Sequence, residues 1–305
     1  MAFYSIVACS WGIIILRQII SRVGRYSPAK LRSWGRGIYY ARRHPLHPGL
    51  KKIGTVQDLY YWMSDDQYDT VLMLQNYFSA FYPTLDTATD GTITVFDPDG
   101  VRLGSSSFSL AHLGGSKIRM SSLLQEIESP EEVDYGTLEV KINIPGDVSE
   151  HIKDEKGLYF WDRFYISYTT KQGQFCFVHG VDKTHIYSEG QSTVGYWYER
   201  PQGEAWAPEI PIEMNSYQKF TTVMLNRTSE SLETTLTLRD GEDNALSWSA
   251  EIPAQGVRRF ELTPEDTAAL KPDELRMMVT GMASQYGRPM VIKEFPNGAI
   301  SAMHC

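Results

Sequence analysis

Thr92-Ile93-Thr94-Val95-Phe96 and Thr235-Leu236-Thr237-Leu238 each alternate a polar with an apolar residue, and each runs into an acidic turn, Asp97-Pro98-Asp99-Gly100 or Asp240-Gly241-Glu242-Asp243. Alternation at period two puts one set of side chains on each face of a strand, and Asp, Pro and Gly at a strand end make a hairpin turn. The two hairpins belong to a longer repeat. Val71-Leu72-Met73-Leu74-Gln75-Asn76 parallels Thr222-Val223-Met224-Leu225-Asn226, both closing at Asn. After each hairpin come a Gly, Gly115 or Gly256, and a basic strand, Lys117-Ile118-Arg119-Met120 or Arg258-Arg259-Phe260-Glu261. Each copy ends with a Gly six residues before a His: Gly173 before His179 and Gly298 before His304. Many short strands with Gly-rich turns predict a mainly β fold: two tandem antiparallel β-sandwiches, preceded by a basic, partly helical N-terminal arm.

The chain of 305 residues is about twice a typical domain of ~150 residues, which accommodates two such units. The expected divisions are an arm at 1–54, a connector helix at 55–68, a first sandwich at 69–190, an aromatic linker at 191–218 and a second sandwich at 219–305. The connector rests on Thr55 and Asp58, spaced as a capping box ahead of Leu59-Tyr60-Tyr61-Trp62-Met63. Thr263-Pro264-Glu265-Asp266, a cap followed by proline, predicts a short helix in the second copy.

The net charge of −8 averages two opposites. No Asp or Glu occurs from Met1 to Gln57, a stretch that contains ten Lys or Arg, among them Arg17, Arg22, Arg25, Lys30, Arg32 and Arg36. Of 29 Lys and Arg, 19 remain for the body, against all 37 Asp and Glu, so the body carries −18. Such a split marks an arm that meets an anionic surface. Its apolar run, Ala2 to Leu16, includes Trp11, Ile13, Ile14 and Leu16. That is short of the ~20 residues a membrane span needs. The run either spans or lies in the interface, with Trp11, Trp34, Tyr39 and Tyr40 at headgroup depth and the arginines on anionic lipid. If it spans, the positive-inside rule puts the body on the cytoplasmic side, and the interfacial reading leaves the body in the cytoplasm as well. A secretory signal fits poorly, because the positive charges follow the apolar run instead of preceding it. A buried N-terminal helix with a solvated basic face and a mitochondrial presequence are the alternatives. Nucleic acid suits the arm's Arg and aromatic residues but is disfavoured by the acidic body.

In the second copy, Leu225-Asn226, the Thr-rich strand after it, Ile252-Pro253-Ala254 before a basic strand, and Arg288-Pro289-Met290-Val291-Ile292 resemble the strand order of the small soluble β-sandwich transducers that accompany some microbial sensory rhodopsins. The resemblance implies a sandwich fold and carries no function.

For chemistry, His179, Asp182 and His185 lie within seven residues and could offer metal ligands or an acid–base pair. No further ligands follow at a metal-site spacing, and strand-end histidines commonly close a sheet by hydrogen bonding. His304 could complete such a site only if the two copies face each other. Tyr196, Trp197, Tyr198 and Trp206 surround Arg200, Pro201, Gly203 and Glu204 in the linker. Rings among polar neighbours stack on sugars or on partner proteins, or pack as an interdomain seam. Three scattered cysteines, Cys9, Cys176 and Cys305, make neither a disulfide framework nor a zinc site.

The expectation is therefore a non-catalytic, membrane-associated accessory or scaffolding subunit that docks through its arm and presents tandem sandwiches for protein–protein interaction. Its partners would be anionic lipid and a membrane-protein complex, with a glycan left open; no cofactor or metal is expected. A carbohydrate-binding module and a metal-dependent hydrolase are the competing readings.

Overall fold

Residues 55–68 do not form the expected connector helix: Ile53–Met63 is a strand, β1, in the middle of a sheet. The computed structural model describes residues 53–130, 132–155, 165–180, 185–188, 209–285 and 287–304. β-Branched and aromatic side chains (Ile53, Thr55, Val56, Tyr60, Tyr61, Trp62) suit an extended backbone. From Val56 to Met63 every residue is buried, on both faces of the strand, so no alternation was left to read. Asp58 caps no helix; its carboxylate Oδ1 accepts the neighbouring Leu59 N–H at 2.9 Å. Trp62 places its indole N–H between the carbonyls of Phe96 and Thr137, at 3.1 and 3.0 Å.

The first sandwich continues with β2 (Tyr68–Gln75), β3 (Thr89–Phe96), β4 (Arg102–Leu110), β5 (Gly115–Arg119), β6 (Tyr135–Asn143), β7 (Tyr165–Thr170), β8 (Phe175–His179) and β9 (His185–Ser188). Three short helices, α1 (Tyr77–Phe81), α2 (Met120–Glu126) and α3 (Gly146–Glu155), connect them. The second contains β10 (Ile210–Pro211), β11 (Lys219–Leu225), β12 (Leu232–Arg239), β13 (Ala245–Ile252), β14 (Val257–Leu262), β15 (Arg276–Thr280), β16 (Met290–Glu294) and β17 (Ile300–His304). Sheet A runs β4-β3-β6-β1-β9 and sheet B β5-β2-β7-β8; sheet C runs β10-β15-β12-β13 and sheet D β14-β11-β16-β17. Strand for strand, β4-β3-β6-β1 matches β13-β12-β15-β10, and sheet B matches sheet D. All pairings are antiparallel.

The core of the second sandwich joins Leu236, Leu238, Met277 and Val279 of sheet C to Phe220, Met224, Leu262 and Val291 of sheet D. Burying each such side chain contributes roughly 1.5–3 kcal/mol. Both acidic turns close as Asp turns: Asp97 Oδ1 accepts the N–H of Asp99 and Val101, and Asp240 Oδ1 those of Glu242 and Asn244.

The two Asn residues that end β2 and β11 do the same work. Asn76 Nδ2 donates to the carbonyls of Thr87 and Ala111, and Asn226 Nδ2 to those of Glu230, Ile252 and Pro253. Their backbone N–H groups reach Gly114 O and Gly256 O, making Gly114 the counterpart of Gly256. The helix expected at Thr263 is a run of turns over residues 264–270, with Asp266 Oδ2 accepting from the Thr263 N–H and hydroxyl.

The chain divides into two compact units. One comprises Met1–Pro48 and His151–Tyr159, of which 151–155, the last turns of α3, are described. The other comprises Gly49–Glu150 and Phe160–Cys305 and contains every strand found among the described residues. Among the described residues no helix is long and apolar enough to cross a membrane.

Candidate functional site

Two surfaces of the β unit carry chemistry: the seam where the sandwiches meet and the outer face of sheet B. The seam starts at the first acidic turn. Val257 N–H and Arg258 Nη1 both donate to Pro98 O, at 3.0 and 2.9 Å, and Arg258 Nη2 pairs with Asp99 at 2.8 Å. Gly100 has φ +77°, and a Cβ there would fall 1.9 Å from Ala254 O. Glycine is needed at this turn both for the left-handed backbone and for the close approach.

Farther along, the Arg259 guanidinium lies 3.8 Å over the Tyr135 ring and reaches Tyr61 Oη at 3.5 Å, with Glu261 on its Nε at 3.2 Å. Thr137 Oγ1 donates to Gln255 O at 2.5 Å. Burial pushes the Tyr61 phenol well above the ordinary tyrosine range, with Arg259 pulling partly back. Tyr168 bridges the sandwiches, donating to Tyr61 O at 3.0 Å with Met290 Sδ 3.6 Å away. Glu294 holds Lys219 at 2.7 Å, and burial together with this carboxylate pushes the Tyr68 phenol above the ordinary tyrosine range.

At its far end, β8 and β17, the edge strands of sheets B and D, lie side by side. Here the two repeat histidines meet. His304 Nε2–H donates to His179 O at 3.0 Å, and the rings are 4.7 Å apart and tilted by 32°. His179 Nδ1–H donates to Gly180 O at 2.8 Å. Behind them Gly180 leaves no room for a side chain, since its Cβ would fall 2.2 Å from the buried Asp58 Oδ2 and 2.6 Å from Tyr60 Cε1. Burial pushes the neighbouring Cys176 thiol up to about 11, so at neutral pH it is a packing group and a poor nucleophile.

Of the sequence-predicted site, His179 is thus brought to His304. His185 opens β9, its backbone opposite Gln57. Asp182 and the linker residues Tyr196, Trp197, Tyr198 and Trp206 lie outside the described residues, as do Trp11, Ile13, Ile14, Leu16, Arg17, Arg22, Arg25, Lys30, Arg32, Trp34, Arg36, Tyr39 and Tyr40. Among the described residues no three His, Cys, Asp or Glu side chains come together as a metal site would require.

Register fixes the outer face of sheet B. Directly opposed residues share a face, which gives the rows Lys117, Met73, Tyr165, His179, then Arg119, Val71, Ser167, Phe177, then Asp69, Thr169, Phe175. Phe175 is 65% exposed, Phe177 57% and Tyr165 42%, and the Tyr165 and Phe177 rings meet edge to face at 5.9 Å. Sequence reading overlooked these rings. The signal lay in the alternation of β8 itself, where Phe175 and Phe177 share one side of the strand and Cys176 and Val178 the other.

No family model matches the chain, and no curated protein matches it. Among solved structures it is similar to a β-glucuronidase from glycoside hydrolase family 2, at 13% identity and a TM-score of 0.20, over 86% of this chain and 24% of that one. The chain thus spans about a quarter of that enzyme's length. It is also similar to a lectin of Pleurotus ostreatus, at 10% identity in both cases. The apo form gives a TM-score of 0.16 over 84% and 76% of the two chains, and the GalNAc complex 0.15 over 84% and 77%. At these TM-scores none of the likenesses carries an argument.

Proposed function

We propose that the protein is a non-catalytic accessory subunit of a membrane assembly, held at the bilayer by residues 1–54 and displaying its tandem sandwiches to a protein partner on the cytoplasmic side. The observation that carries this reading is the segregation of charge: ten cations and no acid up to Gln57, behind the apolar run Ala2–Leu16, joined to a body of −18. Near an anionic leaflet each cation is worth about 1 kcal/mol, so the arm can hold the chain with or without insertion. The body suits display. The Arg258–Asp99 pair, the Arg259–Tyr135 stack and the His304–His179 bond tie the two sandwiches into one unit, so a partner meets a surface of fixed geometry.

Fractionation of cells expressing the full chain tests the reading. The protein is expected in the membrane pellet at low salt, and a variant with Arg17, Arg22, Arg25 and Arg32 changed to Gln is expected to shift to the supernatant. Recovery of the unaltered chain in the soluble fraction at low salt overturns the reading. Gentle detergent extraction followed by identification of co-purifying proteins then names the partner.

A further inference from the structure

We infer that the outer face of sheet B is itself a membrane-contacting surface, which lays the first sandwich against an anionic phospholipid headgroup layer. The inference rests on the membrane reading above and adds a second contact to it. Three aromatic side chains, Tyr165, Phe175 and Phe177, stand exposed at the β7–β8 end of a face whose opposite edge presents exposed Lys117 and Arg119. Asp69, the one acid in these rows, is tied to Arg119 at 3.4 Å and to the Ser121 hydroxyl and N–H at 2.9 and 3.1 Å. Lys171, in the turn between β7 and β8, adds an exposed cation next to the rings. A body of −18 thus turns a face of cations and exposed rings outward, with its single acid already neutralised.

That pairing matches the boundary of an anionic bilayer, where aromatic rings sit at headgroup depth and Lys and Arg meet lipid phosphates. The contrast with the repeat-related hairpins sharpens the point. On the outer face of β3–β4, Ser105 bonds Thr94 and Ser109 bonds Asp90, and on β12–β13 Thr235 bonds Ser249 and Thr237 bonds Ser247. Those are ladders of short polar side chains suited to water. Sheet D, the counterpart of sheet B, has its equivalent face buried in the seam, where Val223, Met290 and Ile292 are each 3% exposed or less. On sheet B the same face is covered at its centre, where Val71 is 4% and Ser167 5% exposed, and is open toward β8, where Tyr165, Phe175 and Phe177 are left to meet something else.

Co-sedimentation of the purified full chain with vesicles tests the inference, using phosphatidylcholine alone and phosphatidylcholine with phosphatidylserine. The chain is expected to bind the serine-containing vesicles. Phe175→Ser/Phe177→Ser, which removes two exposed rings and leaves the core intact, is expected to weaken that binding about tenfold. Lys117→Glu/Lys171→Glu is expected to weaken it by about 25-fold or more, since each cation near an anionic surface is worth about fivefold and the new carboxylates add repulsion. Binding by the unaltered chain that both variants retain overturns the sheet-face contact and leaves the arm reading standing. Failure of the unaltered chain to bind either vesicle overturns both. Unchanged vesicle binding with loss of a co-purifying protein from Phe175→Ser/Phe177→Ser assigns the face to a protein and likewise overturns the inference. A far-ultraviolet spectrum and melting temperature like those of the unaltered chain confirm that the variants fold.

Discussion

His304 donates its Nε2–H to the backbone carbonyl of His179, 3.0 Å away, with the two imidazoles 4.7 Å apart. These are the residues that stand six positions after a Gly at the end of each repeat. The repeat thus supplies both halves of a contact that closes the seam between edge strands β8 and β17. His304→Ala removes one hydrogen bond and one ring contact and is expected to destabilise the chain by about 1 kcal/mol, read as a lower denaturant midpoint with an unchanged slope.

The acidic turn of the first sandwich offers a sharper probe of the seam. Gly100→Ala forces a side chain into Ala254 O and into a left-handed backbone, and is expected to cost about 3 kcal/mol. Gly173 has a similar φ, +87°, but nothing within 4 Å of the position of a Cβ. Gly173→Ala is therefore expected to cost only about 1 kcal/mol. Equal losses in the two variants would show that backbone strain, and not the close approach across the seam, dominates at Gly100.

Each repeat is pinned by a buried Asn. Asn76→Ala leaves the carbonyls of Thr87 and Ala111 without their donor, and Asn226→Ala leaves those of Glu230, Ile252 and Pro253. A loss of about 2–3 kcal/mol is expected in each, with Asn226→Ala the more damaging because three acceptors depend on it. Equilibrium unfolding of both variants measures the difference.

Tyr61 and Tyr168 predict a specific alkaline limit. Burial pushes both phenols above the ordinary tyrosine value of about 10. In the unfolded chain they ionise near pH 10, while in the folded chain they keep their protons. Stability from this source is thus fully present below about pH 10 and is lost as pH rises beyond it, by about 1.4 kcal/mol per pH unit for each such tyrosine. Tyrosinate absorbance should then show a cooperative step coincident with loss of the β-sheet circular dichroism signal. A smooth titration of every tyrosine near pH 10 in the folded chain would contradict it.

Cys176 should be slow to alkylate. Its thiol is pushed up to about 11 by burial, which leaves about one part in a thousand as thiolate near pH 8. Peptide mapping after a timed iodoacetamide pulse is expected to show Cys176 reacting at least about tenfold more slowly in the folded chain than in denaturant.

How far the sequence could be read follows from where each feature is encoded. The turns at Asp97 and Asp240, the strands before them, and the matching of Asn76 with Asn226 and of His179 with His304 were legible. Period-two alternation, Asp side chains that accept their own turn's N–H groups, and a repeated order of signals are all written within a few residues of one another. β1 was misread for the opposite reason. Sheet B packs on one of its faces and the second sandwich on the other, so Val56 to Met63 became uniformly apolar or buried and resembled a helix.

What tertiary structure alone decided was which surfaces meet. The same strand order, β5-β2-β7-β8 and β14-β11-β16-β17, leaves sheet D's outer face covered at Val223, Met290 and Ile292 and sheet B's outer face open at Tyr165, Phe175 and Phe177. Local pattern sets a residue's side of its own strand. Whether that side meets water or another sheet is set by contacts more than a hundred residues apart in sequence, such as Tyr168 with Met290 and His179 with His304.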